Sequence, residues 1–254
     1  MSHLTGKFVW FEHVSPDLTL ARAFYQPLFN WHVESMPMDG GTYPMILNPQ
    51  NEGIGGLRQA EAGERSRWVS YLSVDDVDTR YRQALAAGAK SLQPPTEFAP
   101  VGRGAAFKDP TGAELWIWTS RDGDRPEAAE TPVGDWIWNE LWTPDVEMAL
   151  AFYEKVFGYG IDTTDMGPQG TYHQLKAGDK ARAGVMQSAD PSAPPMWLPY
   201  VRVADCDATA ARAAQLGGRT LLGGTDIAGV GRFAILLDPA GAAFAVFVPT
   251  AVQP

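Results

Sequence analysis

The stretch WFEHVSPDLTLARAFYQPLFNW, residues 10–31, returns as WNELWTPDVEMALAFYEKVFGY at residues 138–159, with Trp, Glu, Pro-Asp, Phe-Tyr and a later Phe in the same order 128 residues apart. Further along, WVSYLSVDDVD from Trp68 is echoed by WLPYVRVADCD from Trp197, and VGRGAAFKDPTGA from Val101 by VGRFAILLDPAGA from Val230, now 129 residues apart. Three separated segments that keep order and spacing mark an internal duplication. The run between the copies is charged, rich in Pro and Gly, and without apolar period, so it reads as an exposed linker. Two related domains are expected, at residues 1–120 and 135–254, joined by 121–134.

Each copy reads as strand, helix and short strands, twice over. Lys7–Val14 alternates and is rich in aromatic and β-branched residues, as a strand should be. Ser15-Pro16-Asp17 supplies a helix cap and a proline for the first turn, ahead of an apolar face of Leu20, Phe24, Tyr25 and Leu28. Thr143-Pro144-Asp145 with Met148, Phe152 and Val156 repeats that arrangement. Strands are expected around Trp31–Met36, Tyr43–Leu47 and Gly55–Leu57. The second unit opens with Val69–Val74, caps a helix at Asp75 or Asp76 and stops it at Gly88. It closes with Ala105–Lys108 and Ala113–Trp118 about an Asp109-Pro110-Thr111-Gly112 turn. Asp205 and Gly217 repeat the cap and the stop. The expected class is α+β, built from four βαβββ modules.

The 254 residues carry 30 acidic and 20 basic side chains, a formal charge of −10, with no Lys/Arg cluster. Nucleic acid and anionic membrane surfaces are therefore disfavoured as partners. One cysteine, Cys206, excludes an intrachain disulfide and a paired-cysteine zinc site. With no leader-like segment and no apolar run of about 18 residues, a soluble cytoplasmic protein is expected.

The fourfold βαβββ pattern, with Phe-Tyr in the first helix followed by Phe29-Asn30-Trp31 or Phe157-Gly158-Tyr159, and with Asp-Pro-x-Gly before the last strand, resembles the vicinal oxygen chelate superfamily. That superfamily holds glyoxalases, extradiol dioxygenases and bleomycin-binding proteins, and the likeness is to its tandem two-domain form. The resemblance implies cupped mixed sheets whose concave faces form cavities, with metal ligands on three strands. It places those ligand positions at Trp10, Val69 and Trp116 in the first copy and at Trp138, Leu198 and Ala245 in the second. None of these side chains is an ordinary metal donor. The expectation is no cofactor, with a divalent metal as the alternative.

Two residues along each strand, the same face carries Glu12, Tyr71 and Glu114, matched by Glu140, Tyr200 and Ala243. An ionised carboxylate in an aromatic strand is costly unless paired. Glu12 and Glu140 therefore read either as catalytic bases or ligand anchors, with Tyr71 or Tyr200 lending a phenol proton, or as structural carboxylates bonded to nearby donors. Trp10, Trp116 and Trp138, with Tyr71, Glu114, His173 and Tyr200, complete the expected ligand-binding set, since aromatic concavities with a few polar anchors suit small planar molecules. His13 points away from Glu12 by strand alternation. Arg103 and Arg232, in the repeated Val-Gly-Arg, either clamp a ligand anion or pair with Asp109 and Asp238. Cys206, between two aspartates, is not an activated thiol. The favoured function is binding or sequestration of a small hydrophobic or aromatic molecule by a monomer or homodimer. The alternative is a metal-dependent glyoxalase, dioxygenase or hydroxylase-type enzyme using Glu12 or Glu140.

Overall fold

The computed structural model describes residues 2–38, 41–167 and 170–250. The first module is β1 (Phe8–Ser15), α1 (Leu18–Phe29), β2 (His32–Met38), β3 (Gly41–Leu47) and β4 (Gly53–Gln59). The second is β5 (Arg67–Ser73), α2 (Val77–Ala86), β6 (Lys90–Phe98), β7 (Gly102–Lys108) and β8 (Glu114–Ser120). The third runs β9 (Trp136–Thr143), α3 (Val146–Phe157), β10 (Gly160–Asp165), β11 (Thr171–Ala177) and β12 (Lys180–Gln187). The fourth runs β13 (Met196–Arg202), α4 (Cys206–Gln215), β14 (Arg219–Ile227), β15 (Gly231–Leu237) and β16 (Ala243–Pro249). Two curled eight-stranded mixed sheets result, with strand orders β2-β3-β4-β1-β5-β8-β7-β6 and β10-β11-β12-β9-β13-β16-β15-β14. In every module the first strand lies parallel to the last, because a helix carries the chain back between them. Among the described residues no helix is long and apolar enough to cross a membrane.

The helices begin where the sequence places them, with small corrections. Asp17, Asp76, Asp145 and Asp205 are the N-caps, each accepting backbone N–H groups of the first turn. Pro16 therefore lies before the first helix and not in its first turn. The buried stripe of α1 is Ala21, Phe24, Tyr25 and Phe29, and that of α3 is Ala149, Leu150, Phe152, Tyr153 and Val156. Leu20 and Met148, expected on the apolar face, are exposed. The stripe turns because both residues of each Phe-Tyr pair go inward. At the C-terminal ends, Asn30 and Gly158 adopt the left-handed conformation, with φ of 55° and 69°. The edge strands β6 and β14 carry no clear alternation and were not singled out in the sequence.

The chain divides into two compact units. One comprises Met1–Trp10, Val69–Pro126 and Trp138–Leu198, and the other Phe11–Trp68, Glu127–Ile137 and Pro199–Pro254. Each unit thus combines a module from each copy of the repeat. In the second unit the Tyr25 hydroxyl of α1 donates to Asp238 Oδ2 at 3.2 Å, while the Trp68 indole N–H donates to Tyr25 at 2.9 Å. Asp238 Oδ1 accepts Ala240 N and Ala242 N of its own turn. The first unit repeats the relay: Trp197 to Tyr153 at 3.1 Å, Tyr153 to Asp109 at 2.9 Å, and Asp109 Oδ1 holding Thr111, Gly112 and Ala113. Around these relays pack Phe24, Phe29 and Phe244 in one unit and Phe107, Phe152 and Phe157 in the other.

Burial pushes the Asp109 carboxyl above its ordinary range, against the pull of its Thr111, Tyr153 and backbone donors. A carboxyl whose folded pKa exceeds its unfolded one binds a proton on folding. Its contribution is complete below the ordinary value of 3.8 and is lost as pH rises through the folded value. Asp109→Asn keeps the Oδ1 acceptor, so the variant should show a flatter Tm-against-pH curve from about pH 4 upward. Thermal melts across that range with an unchanged slope would assign the pH dependence to other groups.

Candidate functional site

The strand faces turned away from the helices carry two equivalent carboxylates. Glu12 on β1 is 5% exposed. It accepts the Tyr43 hydroxyl at 2.9 Å and Arg58 Nε at 3.2 Å. Arg58 continues to Glu64, which also receives Arg67, so β3, β4 and the following loop converge on one ionic cluster. The Arg58 hydrogen bond, opposed by burial, holds the Glu64 carboxyl down at about 2. Glu140 on β9, also 5% exposed, is held differently. Its Oε2 accepts Tyr172 at 2.7 Å and its Oε1 the Trp142 indole at 2.6 Å, while Trp138 donates to Tyr172 at 2.9 Å. Burial, with Glu140 beside it, pushes the Tyr172 phenol far above its ordinary range, so Tyr172 stays a donor.

A glycine underlies each tyrosine. A Cβ on Gly56 would lie 1.9 Å from the Tyr43 oxygen, and one on Gly184 would lie 2.0 Å from the Tyr172 oxygen. The repeat therefore preserves a Glu–Tyr contact threaded over a bare backbone. Sequence reasoning named Tyr71 and Tyr200 as phenol donors and did not name Tyr43 and Tyr172, which donate to Glu12 and Glu140. The signal was present: Tyr43 recurs at Tyr172 and Gly56 at Gly184 with the spacing of the repeat.

Within the first unit, β5, β6 and β8 bring aromatic rings together. Tyr71 stacks on Trp116 at 5.1 Å and 20°, and meets Trp118 edge-on at 6.2 Å. Phe98 closes on Trp116 at 6.0 Å and on Trp118 at 5.8 Å. Tyr71 is buried, while Trp116, Trp118 and Phe98 are half-buried. The register sets Tyr71 beside Trp116, and Glu114 faces Lys108 at the strand's start. The expected level of Tyr71 with Glu114 is thus displaced, because parallel strands climb together and a step up β5 is a step up β8. Glu114 is half-buried, and in the other unit Tyr200 sits beside Ala245 and 6.4 Å from Phe233.

Other expected residues lie elsewhere. Trp10 and Trp138 are half-buried on the carboxylate faces. His173 alternates to the face opposite Tyr172 and bonds Thr163 through Nδ1 at 3.0 Å, which takes it away from Glu140. His13 does face away from Glu12: it is fully buried, with Nε2 2.7 Å from Asp238 Oδ2. Arg103 pairs with Asp78, and Arg232 with Asp207 and Asp226, so the expected partners Asp109 and Asp238 are replaced by acids of the helix start and the neighbouring strand. Cys206 is buried, and desolvation pushes its thiol up to about 11, leaving it unreactive.

A metal of the kind the resemblance implies needs three or more convergent donors. Among the described residues no group of three His, Cys, Asp or Glu side chains could hold one. The donor set of the described residues does not fit such an ion.

Two family profiles divide the chain as the repeat does. Residues 7–117 match the Glyoxalase/Bleomycin resistance protein/Dioxygenase superfamily, and residues 138–247 match the Glyoxalase-like domain. The chain belongs to this superfamily. It is 36% identical over 252 residues to "Putative glyoxylase CFP32" of Mycobacterium tuberculosis, covering 96% of this chain and 95% of that one. It is 32% identical over 259 residues to anthracycline biosynthesis protein DnrV of Streptomyces peucetius, covering 95% and 92%. Its fold is shared with the Mn(II)-bound glyoxalase of Novosphingobium aromaticivorans, at TM-score 0.65 and 19% identity over 100% and 87% of the two chains. The 2,3-dioxygenase LapB of Pseudomonas sp. KL28 superposes at TM-score 0.66 with 13% identity over 99% and 96%.

Two substitutions test the carboxylate clusters. Gly56→Ala drives a methyl into the Tyr43 hydroxyl and should destabilise the protein by about 2 kcal/mol in urea melts. Tyr172→Phe removes one donor from buried Glu140 and the acceptor of Trp138, and should cost about 1–3 kcal/mol. A neutral result for both would mean that these contacts are incidental to the fold.

Proposed function

We propose that this tandem superfamily member binds a small hydrophobic or aromatic molecule within its sheets and does so without a resident metal. The observation that supports this most is the half-buried aromatic sector of Tyr71, Phe98, Trp116 and Trp118, standing where the resemblance would put a metal ligand at Trp116. Rings that are large, rigid and only part-covered are good binding surface. The carboxylates support the same reading. Glu12 is held by a guanidinium and a phenol, and Glu140 by a phenol and an indole, so both serve as hydrogen-bonded anchors in this proposal. Trp10, Trp138, Glu114 and Tyr200 are assigned to the walls and rims of the binding faces. The name of the Streptomyces relative, in anthracycline biosynthesis, points likewise to an aromatic compound. The protein is placed in the cytoplasm, as a monomer or homodimer.

The test combines elemental analysis with ligand titration. Saturable quenching of tryptophan fluorescence by 1-naphthol and indole is expected, with Kd unchanged after exhaustive chelation. Near-stoichiometric zinc, nickel, manganese or iron that returns after stripping, together with hemithioacetal or catechol turnover lost in Glu12→Gln or Glu140→Gln, would replace the binding reading with the enzymatic one.

A further inference from the structure

Of the nine tryptophans, six donate their indole N–H to a protein acceptor: Trp31 to Gly134 O, Trp68 to Tyr25, Trp136 to Ile54 O, Trp138 to Tyr172, Trp142 to Glu140 and Trp197 to Tyr153. Trp10 has interactions of its own. Trp116 and Trp118 are half-buried and have no acceptor among the described residues, and neither N–H is among the fully buried polar atoms. An indole edge that stays open beside a part-covered ring is a donor that an incoming ligand can take up. These two sit two residues apart on β8, so they share one face at a spacing of roughly 7 Å.

Trp118 is also laid flat. A Cβ on Gly102 would meet its ring at 2.7 Å and one on Gly104 would meet it at 2.8 Å, so one indole face rests on the bare backbone of β7. Phe98 and Tyr71 flank it, while Trp116 is backed by Tyr71. The other copy keeps only part of this shelf. Gly231 still lies bare beneath Phe247, as Gly102 does beneath Trp118, but Phe233 stands where Gly104 does, Ala245 replaces Trp116 and Phe247 replaces Trp118, so the shelf is halved and no indole N–H remains.

We infer that the Trp116–Trp118 strand reads a planar polycyclic ligand bearing a ring carbonyl, which stacks on the open face of one indole and accepts the N–H of the other, and that the second copy has no equivalent pair of indoles. This rests on the binding reading above and narrows it to a substrate class and to one copy. Stacking supplies area without chemical selectivity, whereas the unmatched donors penalise an otherwise similar ligand that brings no acceptor.

The experiment titrates the full-length protein with 9-fluorenone, fluorene and 2-adamantanone, which separate planarity from the carbonyl. Binding is followed by calorimetry and by the indole N–H signals of 15N-tryptophan-labelled protein. Fluorenone should bind about five- to tenfold more tightly than fluorene, the size expected of one hydrogen bond, and more tightly still than the non-planar ketone. Trp116→Phe and Trp118→Phe assign their own indole signals. These two should shift with fluorenone while the Trp31 signal stays. The same variants keep a ring and lose the N–H, so the one that removes the donating N–H should erase the fluorenone preference while the other weakens all planar probes alike, and Phe247→Leu should leave the preference intact. Fluorenone and fluorene binding alike, adamantanone matching fluorenone, or shifts confined to other indoles would each overturn the inference and leave the binding reading standing. Saturable quenching by none of the planar probes, 1-naphthol and indole included, would remove both.

Discussion

A buried aspartate in a tight turn, held by a tyrosine from the other copy of the repeat, is the contact on which the rest of this molecule depends. Asp238 and Asp109 each spend one oxygen on their own Asp-Pro-x-Gly turn and the other on Tyr25 or Tyr153. A carboxylate this deeply buried must have donors or it would not tolerate its place. The donor comes from a helix of the other half of the sequence. Each compact unit is thereby fixed as one module from each copy, and the aromatic cores assemble around that contact.

Divergence between the copies is written onto this shared frame. The second unit adds His13 to Asp238, where the other copy has Leu141 at the equivalent strand position. On the opposite faces, Glu12 is neutralised by Arg58, whereas at the matching place in the second copy stands Met186, and Glu140 takes the Trp142 indole in compensation. The Glu–Tyr contact survives in both because a glycine lies beneath each tyrosine. The fold is shared by metal enzymes, and among the described residues of this chain the matching faces carry rings and hydrogen-bonded carboxylates.

Much of this was legible in the sequence. The repeat, the four modules, the N-caps and the turns are local features, set by residues within a few positions of one another. Strand alternation sufficed to put Glu12 and His13 on opposite faces. Helix faces were legible only in part: Phe24, Tyr25, Phe152 and Val156 are buried as the apolar period predicts, yet Leu20 and Met148 are exposed and the stripes take in Ala21, Phe29, Leu150 and Tyr153 instead. Burial of a helix is decided by what it packs against, and that information is not local.

The sequence by itself determined the duplicated βαβββ plan and the presence of carboxylates among aromatics. Only the tertiary structure decided which groups meet. Tyr43 reaches Glu12 across strands 31 residues apart, Tyr172 reaches Glu140, and Tyr153 reaches an aspartate 44 residues away. The register that sets Tyr71 beside Trp116 instead of Glu114 likewise depends on parallel pairing through a crossover. Periodicity tells which face a side chain takes. It does not carry the alignment of one strand on another, which long-range packing and hydrogen bonding settle together.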